Sequence, residues 1–159
     1  MRRATAYQSP GDVKGTIIDT ITLPHDARRL RRKLLTGSGG TDVLVDFPAT
    51  ITLDHGSALV LDNGNLLSIQ AAEEPLYEIR GRDQAHLLRL AWHIGNRHTP
   101  AQLGEDRILI ARDHVLRTML EGLGARLTPV TEPFFAEHGA YHAHDHGSGQ
   151  SGHALLSPR

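Results

Sequence analysis

Apolar and charged side chains alternate through residues 42–47. Val43, Val45 and Phe47 fall on one face, and Asp42 and Asp46 on the other. A period of two with a single apolar face predicts a half-buried strand. Residues 16–23 are rich in β-branched side chains, and residues 58–61 and 66–71 form further short apolar runs. Turn residues separate these stretches: Gly37-Ser38-Gly39-Gly40, Pro48, Asp54-His55-Gly56 and Asp62-Asn63-Gly64-Asn65. Asn63-Gly64 between two apolar runs predicts a hairpin. Short strands closely spaced by turns predict a small all-β domain, barrel or sandwich, over residues 1–74.

The period changes beyond Ala71-Ala72-Glu73-Glu74-Pro75, which reads as a linker. Residues 76–80 predict a strand. Asp83 is an N-cap candidate, and Leu87, Leu90, Ala91 and Ile94 follow at i, i+3, i+4 and i+7, the stripe of an amphipathic helix. Gly95-Asn96 predicts where that helix stops. A strand pair over 100–103 and 107–111 comes next. Asp113 then caps a second helix lined by Val115, Leu116, Met119, Leu120 and Leu123, with Gly122 and Gly124 at its end. Residues 126–130 predict the last strand. The order β-α-β-β-α-β is the ferredoxin-like arrangement. The expected class is therefore α+β: an all-β domain, a ferredoxin-like domain over 75–137, and a His-rich tail over 138–159. That tail has too few large apolar side chains to offset the entropy of ordering.

Composition narrows the function. The 159 residues carry 17 Lys+Arg against 18 Asp+Glu, a net charge of -1, with one Trp, three Tyr and three Phe. Neither a phosphate-neutralising surface nor a base-stacking platform fits those numbers, so nucleic acid is not an expected partner. Residues 28–33 concentrate positive charge. They could meet an acidic surface, but a charge-protected edge strand is the simpler reading. The longest apolar runs are four residues, too short to span a membrane. Arg2-Arg3 is not followed by an apolar signal region, so the expected location is cytoplasmic. There is no cysteine, which excludes disulfides, thiolate metal sites and a Cys nucleophile. Phosphate-binding and nucleophile-elbow glycine motifs are missing too, and no carboxylate pair stands out. A non-enzyme is expected.

Eleven histidines remain to be explained. His138, His142, His144, His146 and His153 crowd the tail, and in an extended segment His142, His144 and His146 share one side. Neutral imidazole suits zinc, copper and nickel, whereas magnesium and calcium need oxygen cages this tail lacks. A solubilising tract is the bland alternative. His98, just past the first helix, is either a packed end residue or a ligand, and His114, next to the Asp113 cap, is either surface or a ligand. His86 and His93 lie seven apart on one side of the first helix, without the spacing of a zinc-protease motif. His25 and His55 adjoin turn residues and read as surface.

The run Trp92-His93-Ile94-Gly95-Asn96-Arg97-His98-Thr99-Pro100-Ala101-Gln102 resembles the signature of the UreE family of urease accessory proteins. Asp113-His114-Val115-Leu116, Met119-Leu120 and Gly122-Leu123-Gly124-Ala125 continue the resemblance. Pro133-Phe134, Glu137, Gly139-Ala140-Tyr141 and the histidine tail complete it in the same order. It is strong over residues 76–146 and looser over the β-rich half.

The resemblance implies a peptide-binding-like β domain, a ferredoxin-like metal-binding domain, and a homodimer. It also implies that His98 of both protomers binds one nickel ion at the interface, with the tail histidines completing the shell or holding more ions. The implied role is Ni(II) delivery to urease apoprotein, together with the GTP-hydrolysing accessory protein of the same system. Zn(II) or Cu(II) could occupy the same donors. Some members of the family carry a second histidine two residues before the position of His114; here that residue is Arg112, which weakens the expectation of a further site there. Two other readings are a general zinc or copper buffer or sensor, and a client-binding module to which metal is incidental.

Overall fold

The computed structural model describes residues 1–138. The tail histidines His142, His144, His146 and His153 lie outside the described residues.

The first half is one six-stranded mixed sheet. Its strands are β1 (Arg2–Gln8), β2 (Ile17–Leu23), β3 (Arg29–Thr36), β4 (Asp42–Thr52), β5 (Ala58–Leu61) and β6 (Leu66–Ala71), in the order β2-β6-β5-β1-β4-β3. The predicted Asn63-Gly64 hairpin joins β5 to β6, with Gly64 at φ 85° as such a turn requires. Val43, Val45 and Phe47 are buried with Ala4, Leu53, Leu59, Leu67 and Ile69, so the alternation seen in the sequence is the inner face of the sheet. The basic stretch from Arg29 on lies in the edge strand β3, whereas Arg28 precedes it and is buried.

Two features escaped the pattern. β1 buries only Ala4 fully, and its pairing with β5 is shifted between Ala4 and Ala6. A central strand without alternation leaves no local trace. Pro48 interrupts nothing: β4 continues past it, and the β3–β4 register shifts between Leu30 and Arg32, which absorbs the prolyl ring at a bulge.

The sheet curls so that its far corners meet. Ser38 N–H donates to Thr20 O at 2.8 Å. The Asp19 carboxylate accepts from the N–H groups of Thr20 (2.7 Å), Gly39 (2.8 Å) and Thr41 (3.0 Å). A Cβ on Gly37 would come within 2.3 Å of that carboxylate, so the turn needs a residue without one. The N–H bonds from Gly39, Thr20 and Thr41 hold the Asp19 carboxyl far below the usual carboxylate range.

The second half comprises β7 (Glu73–Arg80), α1 (Gln84–Asn96), β8 (Gln102–Leu103), β9 (Ile108–Ala111), α2 (His114–Gly122) and β10 (Arg126–Pro133), the β-α-β-β-α-β connectivity expected. Its four strands are ordered β10-β7-β9-β8, all antiparallel. Asp83 and Asp113 cap the helices, accepting from His86 N and Leu116 N at 2.8 and 2.9 Å. Ile79, Ile108 and Ile110 face Leu87, Leu90, Ile94, Leu116 and Leu120 in one core. Each such side chain contributes on the order of 1.5–3 kcal/mol by burial. The other face of the sheet buries Leu76 and Leu109 with Phe134 and Ala136.

The expected linker is strand. Glu73 already pairs with Pro133, so Ala72 alone separates β6 from β7, and β10 runs three residues beyond the predicted Val130. The sequence Glu73-Glu74-Pro75 looks like a break, but proline is tolerated there because β9 pairs with β7 only from Leu76 onward, so Pro75 has a strand neighbour on the β10 side alone. The predicted helix stop also moves. Gly95 and Asn96 are helical, and the reversal falls on His98, at φ 55°.

Candidate metal-binding cleft

His98 sits where helices commonly place glycine. Its N–H donates to Gly95 O at 3.0 Å, closing the end of α1 in the left-handed conformation. Among the described residues it is the one non-glycine with positive φ. The same position after α2 is Gly124, at φ 87°. An L-residue pays roughly 1–2 kcal/mol for this conformation, and such outliers collect at functional positions. The side chain is exposed.

Topology gathers other imidazoles at the same end. Because α1 runs back along the sheet, its C-terminus lies beside the start of α2 and the start of β7. Arg97 Nε reaches Met119 Sδ, in the second half of α2, at 3.1 Å and ties the two helices. His114 is the first residue of α2 and is exposed. Beyond β10 the chain turns across the joint between the domains: Glu137 N–H donates to Ala101 O at 2.7 Å, and Phe135 N–H to Gln102 Oε1 at 2.9 Å. This brings His138, half exposed, to 3.8 Å from Asp54 of the N-terminal domain.

A cleft of about 440 Å³ opens at this joint. His98, His138, Glu137, His25 and Asp26 line it. His25, expected at the surface beside turn residues, is instead half-buried. It opens a short 3-10 helix (His25–Arg28), and its ring packs against Phe134 with centroids 5.0 Å apart. No group of three or more His, Asp or Glu among the described residues is close enough to cage an ion. The cleft therefore brings imidazoles and carboxylates to one opening without gathering them into a metal-binding cluster. His114 is not among the residues lining it.

Side chains of both domains meet at the joint. Arg28, buried, donates to Phe134 O and lies 5.7 Å from the Phe135 ring centroid. Burial lowers its pKa, while the charges of Glu74 and Asp54 oppose that shift; an arginine so placed stays charged. His25 N–H donates to Glu74 Oε2 at 3.0 Å, a second tie between the domains.

Of the remaining histidines, His86 is structural, and His55 is exposed as expected. His86 is buried, accepts from Arg82 N–H through Nδ1 at 2.9 Å, and places Nε2 2.8 Å from Leu123 O. Those partners require the proton on Nε2 and leave no lone pair for a metal. His55 Nδ1 accepts from Ala71 N–H at 3.1 Å. His93 packs its ring on Trp92. At the position of the family's additional histidine, Arg112 donates to Leu76 O and Val130 O, both at 3.2 Å, and stitches β7 to β10.

Fold and cleft together define a class: a two-domain protein, β then α+β, with exposed imidazoles collected at the joint. Residues 2–72 match the family model described as UreE urease accessory protein, N-terminal domain, and residues 74–155 match that of its C-terminal domain. The chain is 52% identical over 153 residues to "Urease accessory protein UreE" of Chelativorans sp. (strain BNC1), covering 96% of this chain and 94% of that one. It is 49% identical over 154 residues to the protein of the same name from Rhizobium leguminosarum bv. trifolii (strain WSM2304), covering 97% and 80%. With that of Brucella anthropi it shares 53% identity over 137 residues, 81% of each chain. The chain belongs to the UreE family of urease accessory proteins. No helix among the described residues is long and apolar enough to cross a membrane.

Proposed function

We propose that this protein is a cytoplasmic nickel(II) metallochaperone that supplies urease apoprotein during active-site assembly and is not itself an enzyme. The observation that carries the reading is His98. A helix end that glycine would close without strain is closed instead by an exposed imidazole at φ 55°. The family membership directs that imidazole toward urease assembly.

In this reading the protein acts as a homodimer, and His98 from each protomer meets the other across the two-fold axis to hold one ion. A single ligand per chain becomes a pair by symmetry. His114, His138 and the tail histidines His142, His144, His146 and His153 complete the shell or hold further ions. Delivery needs release. Imidazoles on an open surface, with water in the remaining positions, exchange more readily than a closed four-ligand site. Urease apoprotein and its GTP-hydrolysing accessory protein are the partners.

The test is activation of apo-urease at limiting nickel, with and without the protein. Wild type should raise the yield of active urease and His98→Ala should not. Calorimetry should show that His98→Ala has lost the tightest nickel site; unchanged tight binding would remove His98 from the mechanism. Imidazole donors alone favour copper over nickel. Equal handling of zinc and nickel, with no effect on urease, would point to a metal buffer instead.

A further inference from the structure

We infer that the end of the C-terminal domain remote from His98 carries an oxyanion site: Arg80, Arg82 and Arg126 converge on a pocket that takes a phosphate group, free or as a small phosphomonoester. This goes beyond nickel transport and does not depend on it.

The pocket encloses about 270 Å³ and is lined by Arg80, Gly81, Arg82, Gly124 and Arg126. The fold brings these residues together from two places. Arg80, Gly81 and Arg82 lead from β7 into α1, whereas Gly124 and Arg126 lead from α2 into β10. His86 fastens the two turns. Its Nδ1 accepts from Arg82 N–H at 2.9 Å, and its Nε2 lies 2.8 Å from Leu123 O. The ring is buried, so the frame of the pocket is set before any ligand arrives. The two glycines keep the floor bare. A Cβ on Gly124 would stand 2.5 Å from Arg82 Nη1, and one on Gly81 would stand 2.9 Å from Leu87 N.

The charge is what needs explaining. Arg126 lies directly opposite Arg80 in the β7–β10 ladder, and like charges so placed destabilise a sheet. Arg80 is compensated by Glu78 at 2.7 Å and Asp106 at 3.3 Å. Among the described residues the guanidinium groups of Arg82 and Arg126 have no hydrogen bond or ion pair. Asp83, beside Arg82 in the chain, turns its carboxylate to His86 N–H instead. Two uncompensated positive charges therefore meet at one small opening. A phosphate group carries about -1.5 to -2 at pH 7, which matches them; a carboxylate would neutralise one. Planar guanidinium forks also match phosphate oxygens. The volume is below the roughly 300–1,000 Å³ of sites for drug-sized molecules, so the phosphate group itself is the part recognised. The 13 residues of α1 span about 20 Å between this pocket and His98, so the two sites are separate.

The test uses the full-length ¹⁵N-labelled protein, freed of metal. Inorganic phosphate and glycerol 3-phosphate are titrated separately at constant ionic strength while the amide resonances are followed, with sodium acetate as the monoanion control. The amides of Gly81, Arg82 and Gly124 should shift saturably with both phosphates. Tighter binding of glycerol 3-phosphate would assign the site to an ester, and equal or weaker binding to free phosphate. Arg82→Gln and Arg126→Gln should each weaken phosphate binding at least about 10-fold. Nickel binding measured by calorimetry should match wild type in both variants, which shows that they fold. Equal shifts with acetate, shifts that do not saturate, or unchanged phosphate affinity in both variants would overturn the inference and leave the nickel-carrier reading standing.

Discussion

Replacing His98 with glycine should make the metal-free protein more stable and the metal-bound protein less so. The backbone at 98 is left-handed, φ 55°, a conformation that costs an L-residue roughly 1–2 kcal/mol. Glycine adopts it without strain, but loses about 0.5–1 kcal/mol more conformational entropy on folding. The difference leaves His98→Gly more stable by up to about 1.5 kcal/mol, because the exposed ring contributes no burial to offset the strain. For a chain of this size that is a rise in Tm of up to about 6 °C. Nickel reverses the order. A ligand at 100 times its Kd stabilises the protein that binds it by about 2.7 kcal/mol, and on the proposed role of His98 the variant would lose the site that gains it. Urea unfolding of both proteins, once with excess chelator and once with nickel, measures the crossing directly. A metal-free His98→Gly protein less stable than wild type would show that the ring is part of the packing, and the argument from strain to function would fail.

Other changes separate structure from binding. Asp19→Asn should lower the urea midpoint at pH 7. Its folded-state pKa is depressed, so the stabilisation is complete above the unfolded carboxyl value near 4 and fades as pH falls below it; the gap between variant and wild type should narrow in acid. Arg28→Ala removes the bond to Phe134 O and should cost about 2 kcal/mol, with faster amide hydrogen exchange over residues 134–138. His86→Ala leaves Leu123 O and the Arg82 N–H without partners. It should cost on the order of 2–3 kcal/mol without changing the nickel stoichiometry by calorimetry. Arg112→His should add a nickel ion per protomer at the pair it forms with His114. It should also lower the thermal midpoint, because the bonds to Leu76 O and Val130 O are lost.

Where a signal is local, the sequence carried it. The alternation of Val43, Val45 and Phe47, the Asn63-Gly64 hairpin, the Asp83 and Asp113 caps and the stripe from Leu87 to Ile94 all reappear as structure. Each depends on contacts within a few residues or on one face of one element. The signals that failed are those that a partner strand or a helix end overrides. β1 owes its place to β4 and β5. Glu73-Glu74-Pro75 is strand because β10 pairs with it. Gly95 stays helical because the reversal is completed three residues later.

The sequence alone pointed to the donor type, imidazole without thiolate, and placed His98 at a helix end within a family signature. Only the tertiary structure decided which histidines are available. It locked His86 between two backbone groups and turned His55 to Ala71. It also carried His25 and His138 from distant parts of the chain to the cleft that His98 lines. The physical reason is that a histidine looks the same in sequence whether its lone pair is satisfied or free. What its ring nitrogens meet is settled by strand order and by the turn of the chain back across the joint, and no short-range pattern encodes either.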